Sequence, residues 1–172
     1  MLSRIHKIQE ALKQEKLDGW LLFDFKRSNP LANDILQLDS TVTRTRRWFY
    51  FIPARGTPTK LVHRIETSSL DSLPGQTRLY AEWKELVQEL RILLSRSKRV
   101  AMEYSHKGEV PYISRVDGGT VELIRSLGVR VATSGNLIQF FESRITPEQI
   151  KDHQRTAGLL HHFVQKAFHK VA

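Results

Sequence analysis

Hydrophobic positions along this chain switch between helical and extended spacing, and the switches outline its elements. One stripe at three- and four-residue intervals is formed by Ile5, Ile8, Ala11 and Leu12. A second such stripe is formed by Trp83, Leu86, Val87, Leu90, Leu93 and Leu94. Both predict helices with one apolar face. Between them, the apolar run 20–25 predicts a buried strand, and Gly19 before it predicts the end of the first helix.

Turn residues divide the rest of the chain into short elements. Strand-like segments at 47–53 and 59–64 bracket the turn ARGTP, where Gly56 supplies a permissive backbone, so we expect a hairpin within one sheet. Further strands are predicted at 99–103 and 129–133. Helices are predicted at 121–127, closed by Gly128, and at 137–141, whereas the segment after Asn29-Pro30 receives no assignment. This alternation predicts an α/β fold, a mixed sheet flanked by helices on both faces.

The C-terminal segment predicts a long helix with its own start signal. Thr146 can cap the first turn, Pro147 suits the first helical position, and Gln149 can complete a capping box. An apolar seam follows, made of Ile150, His153, Ala157, Leu160, Val164, Ala167 and Val171. Such a seam predicts burial against an absent partner or a second copy, or alternatively against the chain's own sheet. We expect a domain boundary at 144–146.

Composition bounds the function classes. The chain has 172 residues, 40% hydrophobic and 26% charged, which predicts one folded domain with an appendage. It contains no cysteine, which excludes disulfides and thiolate sites, and no apolar run that predicts a signal peptide or a membrane span. We therefore expect a cytoplasmic protein. The net charge of +9 favours an anionic partner, but the basic residues form no long run and no nucleic-acid signature.

Candidate catalytic constellations are sparse. Asp24 and Asp34 resemble a pair of metal-binding aspartates, but no ordered histidine and glutamate ligands follow, so we interpret Asp24 as a strand end and Asp34 as solvated. His162 and His169 share a helix face without a carboxylate nearby. No serine lies in a nucleophile elbow. In VDGGT (116–120), Asp117 is predicted to cap a helix rather than to open a phosphate loop.

The segment 100–153, with the collinear hairpin at 46–66, resembles the amino-terminal domain of the creatinase and Xaa-Pro peptidase (prolidase, aminopeptidase P) family. The resemblance implies a ribonuclease H-like α/β domain at 1–145, followed by a linker helix at 146–172 toward a missing catalytic domain. It implies that this chain holds no cofactor or catalytic residue. Two divalent ions, Mn, Co or Zn, and the peptide substrate are expected in the full-length metallopeptidase, with the catalytic domain and a second subunit as partners.

The resemblance also implies one functional role for this domain, at the partner's active-site entrance in a homodimer. The loop 39–48 is the candidate, with Arg46 and Arg47 meeting a substrate carboxylate and Trp48 lining a proline-sized pocket. The alternative for Trp48 is burial in the core.

Two other functions stay open on the sequence. One is a stand-alone interaction module that dimerises through its terminal helix. The other is a basic ribonuclease H-like domain that acts on nucleic acid, for which the carboxylates near strand ends are Asp24, Glu103 and Asp117.

Overall fold

Six strands form one mixed sheet in the computed structural model, which describes residues 1–142 and 146–171. The strands are β1 (Gly19–Asp24), β2 (Trp48–Pro53), β3 (Thr59–His63), β4 (Gln76–Tyr80), β5 (Arg99–Met102) and β6 (Arg130–Thr133). Their order across the sheet is β4-β3-β2-β1-β5-β6. The β1–β2 and β2–β3 pairs are antiparallel, whereas β3–β4, β1–β5 and β5–β6 are parallel. The predicted mixed sheet is confirmed.

Helices cover both faces of this sheet. Those in residues 1–142 are α1 (Leu2–Gln14), α2 (Pro30–Leu36), α3 (Trp83–Leu94), α4 (Gly118–Ser126) and α5 (Gly135–Glu142). One buried cluster joins α1, α2 and α5 to the sheet, and a second joins α3 and α4 to the opposite face. Successive side chains of β2 point to opposite faces of the sheet, so this strand contributes to both clusters. The first cluster contains Trp48, Tyr50 and Ile52, and the second contains Phe49 and Phe51. The predicted two-faced α/β architecture is confirmed.

Gly19 has a different role from the predicted helix stop. Helix α1 already ends at Gln14, and the chain turns at Lys16, whose φ is 54°. Gly19 is the first residue of β1, where a Cβ atom would lie 2.3 Å from Cε2 of Phe51 and 2.9 Å from the carbonyl oxygen of Ile52. Glycine is therefore required by close packing of the neighbouring strand rather than by the end of a helix.

Three other assignments change in the structure. The unassigned segment after Asn29 is helix α2, capped by the Asn29 side chain, which accepts from the Ala32 N–H at 3.1 Å. Strand β4 had no sequence prediction, and helix α4 starts at Gly118, earlier than the predicted 121. The capping role of Asp117 is confirmed, since its Oδ1 accepts from the Thr120 N–H at 2.9 Å.

The last helix, α6 (Pro147–Val171), belongs to a second compact unit, Glu142–Ala172, that follows the unit Met1–Phe141. The predicted capping box is confirmed, because Thr146 N–H donates to Gln149 Oε1 at 2.8 Å and Gln149 N–H donates to Thr146 Oγ1 at 3.2 Å. Residues 143–145, on which the predicted boundary falls, and the side chain of Val171 lie outside the described residues. Among the described helices, none is long and apolar enough to cross a membrane.

Candidate functional site

A groove of about 260 Å³ lies beside the loop 39–48, at the end of the sheet where β1, β3 and β4 finish. Its lining includes Phe25, Arg46, Arg47, His63, Tyr80, Glu82 and Trp83, so one carboxylate stands beside the two arginines. These residues come from four chain segments that the sheet topology brings together, because antiparallel β2 starts where its neighbours β1 and β3 end. We call this cavity the Arg47 groove.

The loop that carries Arg46 into the groove is held by Glu66. The Glu66 carboxylate accepts from the backbone N–H of Thr45 at 3.0 Å, from the N–H of Arg46 at 3.0 Å, and from the Thr45 hydroxyl. Burial acts to raise the pKa of Glu66, but these hydrogen bonds outweigh it and hold the pKa below its ordinary value. An ionised Glu66 therefore fixes the loop at neutral pH.

Arg47 is held between two aromatic side chains. Its guanidinium carbon lies 5.4 Å from the ring centroid of Phe25 and 5.7 Å from that of Trp83. Cation–π contacts of this kind orient the guanidinium plane without consuming its N–H donors. Within the described part of the chain, no carboxylate forms an ion pair with Arg47. The guanidinium is thus positioned, and its donors are available to an anionic ligand.

Tyr80 and His63 form a polar wall whose hydrogen bonds are satisfied. The Tyr80 hydroxyl donates to the Arg47 carbonyl oxygen at 2.6 Å, and burial raises the pKa of Tyr80 to about 12. His63 Nε2 donates to the carbonyl oxygen of Ala81 at 3.0 Å, while its Nδ1 accepts from the Ile65 N–H at 3.2 Å. These partners assign a neutral imidazole protonated on Nε2. Both side chains are therefore held in place by backbone groups.

Of the three predicted substrate-binding residues, only Arg46 and Arg47 line this groove. Trp48 is 1% exposed and packs in the cluster under α1 and α2, because the alternation of β2 turns it to the opposite side from Phe49. The structure thus places Trp48 in the core, the alternative given by the sequence, and not in a proline-sized pocket. Phe25 and Trp83, which sequence reasoning did not propose, take the aromatic positions of the groove. Trp83 is 55% exposed although it belongs to the predicted apolar stripe.

The Arg47 groove combines cationic donors, aromatic ring faces and one carboxylate, Glu82. Two guanidinium groups can pair with a carboxylate through parallel hydrogen bonds, and two ring faces can contact an apolar ring. The groove therefore presents both cationic donors and apolar ring faces to solvent. Its single lining histidine is already satisfied on both nitrogens.

A second polar cluster is sealed inside the fold around Glu103. This carboxylate accepts from Trp20 Nε1 at 2.6 Å and from Asn29 Nδ2 at 2.7 Å, and its side chain has no exposure. Burial raises the pKa of Glu103 to about 7, against the lowering effect of the Trp20 and Asn29 hydrogen bonds. Asn29 also donates to the Phe23 carbonyl oxygen at 2.7 Å. The cluster joins β1, β5 and the start of α2 and has no access to ligand.

The other carboxylates considered from the sequence are structural or solvated. Asp24 ends β1 as predicted, fully buried, and its Oδ1 accepts from the Asn29 N–H at 2.8 Å. Asp117 caps α4, and Asp34 is exposed on α2 as predicted. Residues 1–142 and 146–171 contain no group of three or more side chains that can hold a metal ion. Of the three carboxylates in the nucleic-acid hypothesis, Asp24 and Glu103 share Asn29 as a buried hydrogen-bond partner, whereas Asp117 is engaged in capping α4.

The loop after β5 holds a buried serine, and α6 carries the two histidines considered from the sequence. Ser105 is buried and its hydroxyl oxygen accepts from the Val110 N–H at 2.8 Å. His162 and His169 are exposed on α6. The same helix exposes large apolar side chains, with Leu160 65% and Phe168 68% exposed.

Comparison with known proteins relates this chain to one set of solved structures. No family model and no curated protein matches the sequence. The dipeptidase PepE of Mycobacterium ulcerans superposes with a TM-score of 0.66 at 16% identity, over 87% of this chain and 38% of that chain. The prolidase of Pyrococcus horikoshii OT3 superposes with a TM-score of 0.58 at 14% identity, over 87% of this chain and 37% of that chain. The present chain thus spans less than two fifths of either enzyme.

A third similar structure corresponds to the present chain in extent. It is described as the creatinase/prolidase N-terminal domain of an X-Pro dipeptidase from Streptococcus pyogenes, with a TM-score of 0.59 and 12% identity. The match covers 81% of this chain and 98% of that domain. At identities this low, a structural superposition shows shared architecture alone. Here it extends over nearly the whole of an independently solved domain. The chain has the fold of the creatinase/prolidase amino-terminal domain.

Proposed function

We propose that this chain is the non-catalytic amino-terminal domain of an Xaa-Pro dipeptidase or aminopeptidase, and that its Arg47 groove binds the substrate at the active-site entrance of a dimer partner. The observation that carries the proposal is the match to a solved X-Pro dipeptidase domain of equal extent. The proposal assigns peptide cleavage, and the two divalent ions that it requires, to a separate catalytic domain.

The groove supports this role through its chemistry. An Xaa-Pro dipeptide carries a terminal carboxylate and a five-membered apolar ring. Arg46 and Arg47 offer guanidinium donors for the first, and the faces of Phe25 and Trp83 offer contacts for the second. Half of a shared site binds weakly by itself, so we expect a dissociation constant in the millimolar range, on the order of 1–10 mM.

Tryptophan fluorescence gives a direct test because one of the three tryptophans reports on the groove. Trp20 and Trp48 are at most 1% exposed, whereas Trp83 is 55% exposed. The fluorescence that an added quencher can reach comes from the exposed Trp83. Titration with Ala-Pro is expected to change this fluorescence in a saturable manner. Arg47→Gln should weaken binding about tenfold, the loss of a charge-assisted contact.

Arg91→Gln is the matched control for this titration. It removes the same charge from an exposed position of α3 outside the groove, and it should bind like the wild type. A titration in which Arg47→Gln and wild type respond alike, or in which neither responds, contradicts the assignment of the groove.

A second function, self-association, is favoured by the apolar surface of α6. On that helix the seam residues Ile150, Leu160 and Val164 are 45%, 65% and 44% exposed. Surfaces of this kind are normally covered in solution. We propose that α6 pairs with a second copy through the predicted seam, which provides the homodimer.

Light scattering across a concentration series tests this pairing. Leu160→Glu introduces a charge on the seam and should yield a monomer. Leu159→Glu is the matched control, since it places the charge one residue away on a different helix face and should leave the dimer in place. A wild-type monomer at every concentration, or equal effects of the two substitutions, argues against the seam.

A further inference from the structure

A small pocket between α2 and the loop 39–48 is separate from the Arg47 groove. Its volume is about 180 Å³, and its lining includes Arg27, Asn33, Asp34, Ser40 and Arg44. The two cavities share no lining residue. This volume is below the range of about 300–1,000 Å³ typical of drug-sized ligands, so only a small group fits.

Arg44 is a buried cation with no carboxylate at ion-pair distance in the described part of the chain. It is 5% exposed, and its guanidinium donates to backbone oxygens only, to Ser69 from Nε at 2.7 Å and to Asp39 from Nη1 at 2.9 Å. Within the described residues, its Nη2 donates no hydrogen bond and no acidic side chain forms an ion pair with it. Burying an unpaired charge is costly, so an anion from solution is a natural partner.

Arg27 brings a second positive charge to the same place. Its Nη2 donates to the Val42 carbonyl oxygen at 3.1 Å, and Arg44 Nη1 lies 3.3 Å from that same oxygen. The two guanidinium groups therefore approach each other closely although like charges repel. Burial, and then the charge of Arg27, lower the pKa of Arg44, and they outweigh the opposite effect of the carboxylates of Asp39, Asp24 and Glu66. A strained turn supports this arrangement, because Lys26 and Arg27 have φ of 52° and 60°.

The remaining lining fits an oxygen-rich anion. Asn33 contributes an amide whose Nδ2 donates to the Asn29 carbonyl oxygen at 2.8 Å, and Ser40 contributes a hydroxyl. Asp34 adds one carboxylate at the rim but forms no ion pair with either arginine in the described part of the chain. Among the lining side chains, two guanidinium groups therefore stand against one carboxylate, while Asp39, Asp24 and Glu66 also act on Arg44 from outside the lining.

We propose that Arg27 and Arg44 form a binding site for a small oxyanion, either a phosphate or a carboxylate group. The two guanidinium groups donate to its oxygens from two directions, with Ser40 as a further donor. Anion binding would tie α2 to the loop 39–48, the same loop that carries Arg46. This site is independent of dipeptide binding, so either proposal can fail alone.

Heteronuclear NMR and thermal unfolding with inorganic phosphate test the site. At constant ionic strength, phosphate should shift the resonances of Ser40, Asn33 and the Arg27 side chain along one saturable curve. Acetate in place of phosphate distinguishes the two ligand sources, since a carboxylate site responds to both and a phosphate site to phosphate alone. Arg27→Gln should weaken the binding about tenfold or more, whereas Arg91→Gln should not.

The Arg91→Gln control matters because phosphate raises the unfolding midpoints of proteins in general. Equal midpoint increases in wild type, Arg27→Gln and Arg91→Gln, together with no localised resonance shift in the wild type, would overturn the proposal. The wild-type NMR titration decides the question even if Arg27→Gln loses its fold.

Discussion

Replacing Gly75 with alanine is expected to lower the free energy of unfolding by about 3 kcal/mol or more. Gly75 has φ of +115°, which side-chain-bearing residues adopt at a cost, and its added Cβ would lie 2.2 Å from the Pro58 carbonyl oxygen. That oxygen accepts from the Gln76 N–H at 3.0 Å, a bond at the start of β4. Backbone cannot move aside as a side chain can, so β4 should be displaced from the sheet. Chemical denaturation measures the loss.

Gly56 provides a matched control for Gly75. It also has a positive φ, +104°, but a Cβ there meets nothing within 4 Å. Gly56→Ala should therefore carry only the backbone cost, about 1–2 kcal/mol. Equal losses in the two variants would show that contact with Pro58 does not matter.

The wild-type free energy of unfolding is expected to fall by about 2–3 kcal/mol between pH 5 and pH 8 because Glu103 is buried. Burial raises the pKa of Glu103 from 4.5 to about 7 in the folded chain, in spite of the hydrogen bonds from Trp20 and Asn29. Across this window the folded state keeps a proton that the unfolded state has released. Stability is therefore greatest below the unfolded pKa and is lost as the pH rises through the folded value. Urea unfolding at several pH values measures it.

Glu103→Gln isolates this effect, since it removes the titrating group and leaves every histidine in place. Its amide oxygen can still accept from Trp20, but its NH₂ faces the NH₂ of Asn29, so the variant should be less stable than wild type at pH 5. The informative quantity is the slope of the free energy of unfolding against pH. Parallel pH dependences in the two proteins would mean that Glu103 is not the titrating group.

Hydrophobic spacing and helix-capping residues predicted those elements whose sequence signals lie within a few residues of one another. The hairpin of β2 and β3, helix α3 and the Thr146 capping box are of this kind. Strand β4 was missed because its sequence, QTRLY, belongs to an edge strand whose burial is confined to its last residue, Tyr80. Helix α2 spans seven residues, too few for a helical period to appear.

The candidate sites are formed by tertiary contacts that the spacing of residues along the sequence does not reveal. The Glu103 cluster joins residues 74 and 83 positions apart, so its high pKa follows from tertiary burial alone. Trp48 is buried and Trp83 is exposed, although each is the first residue of an apolar element. Arg46 and Arg47 were proposed from the family resemblance, and the structure places both in the lining of the Arg47 groove. Arg27 was missed because only the folded loop brings it to Arg44.

The Ala-Pro titration, followed by analysis of the dipeptide after incubation with manganese or cobalt, tests the central claim most directly. The account predicts a saturable Trp83 response that Arg47→Gln weakens, with the dipeptide recovered intact because this domain binds substrate without cleaving it. Metal-dependent release of free proline by the purified 172-residue chain would contradict the account, and so would a groove that gives no response.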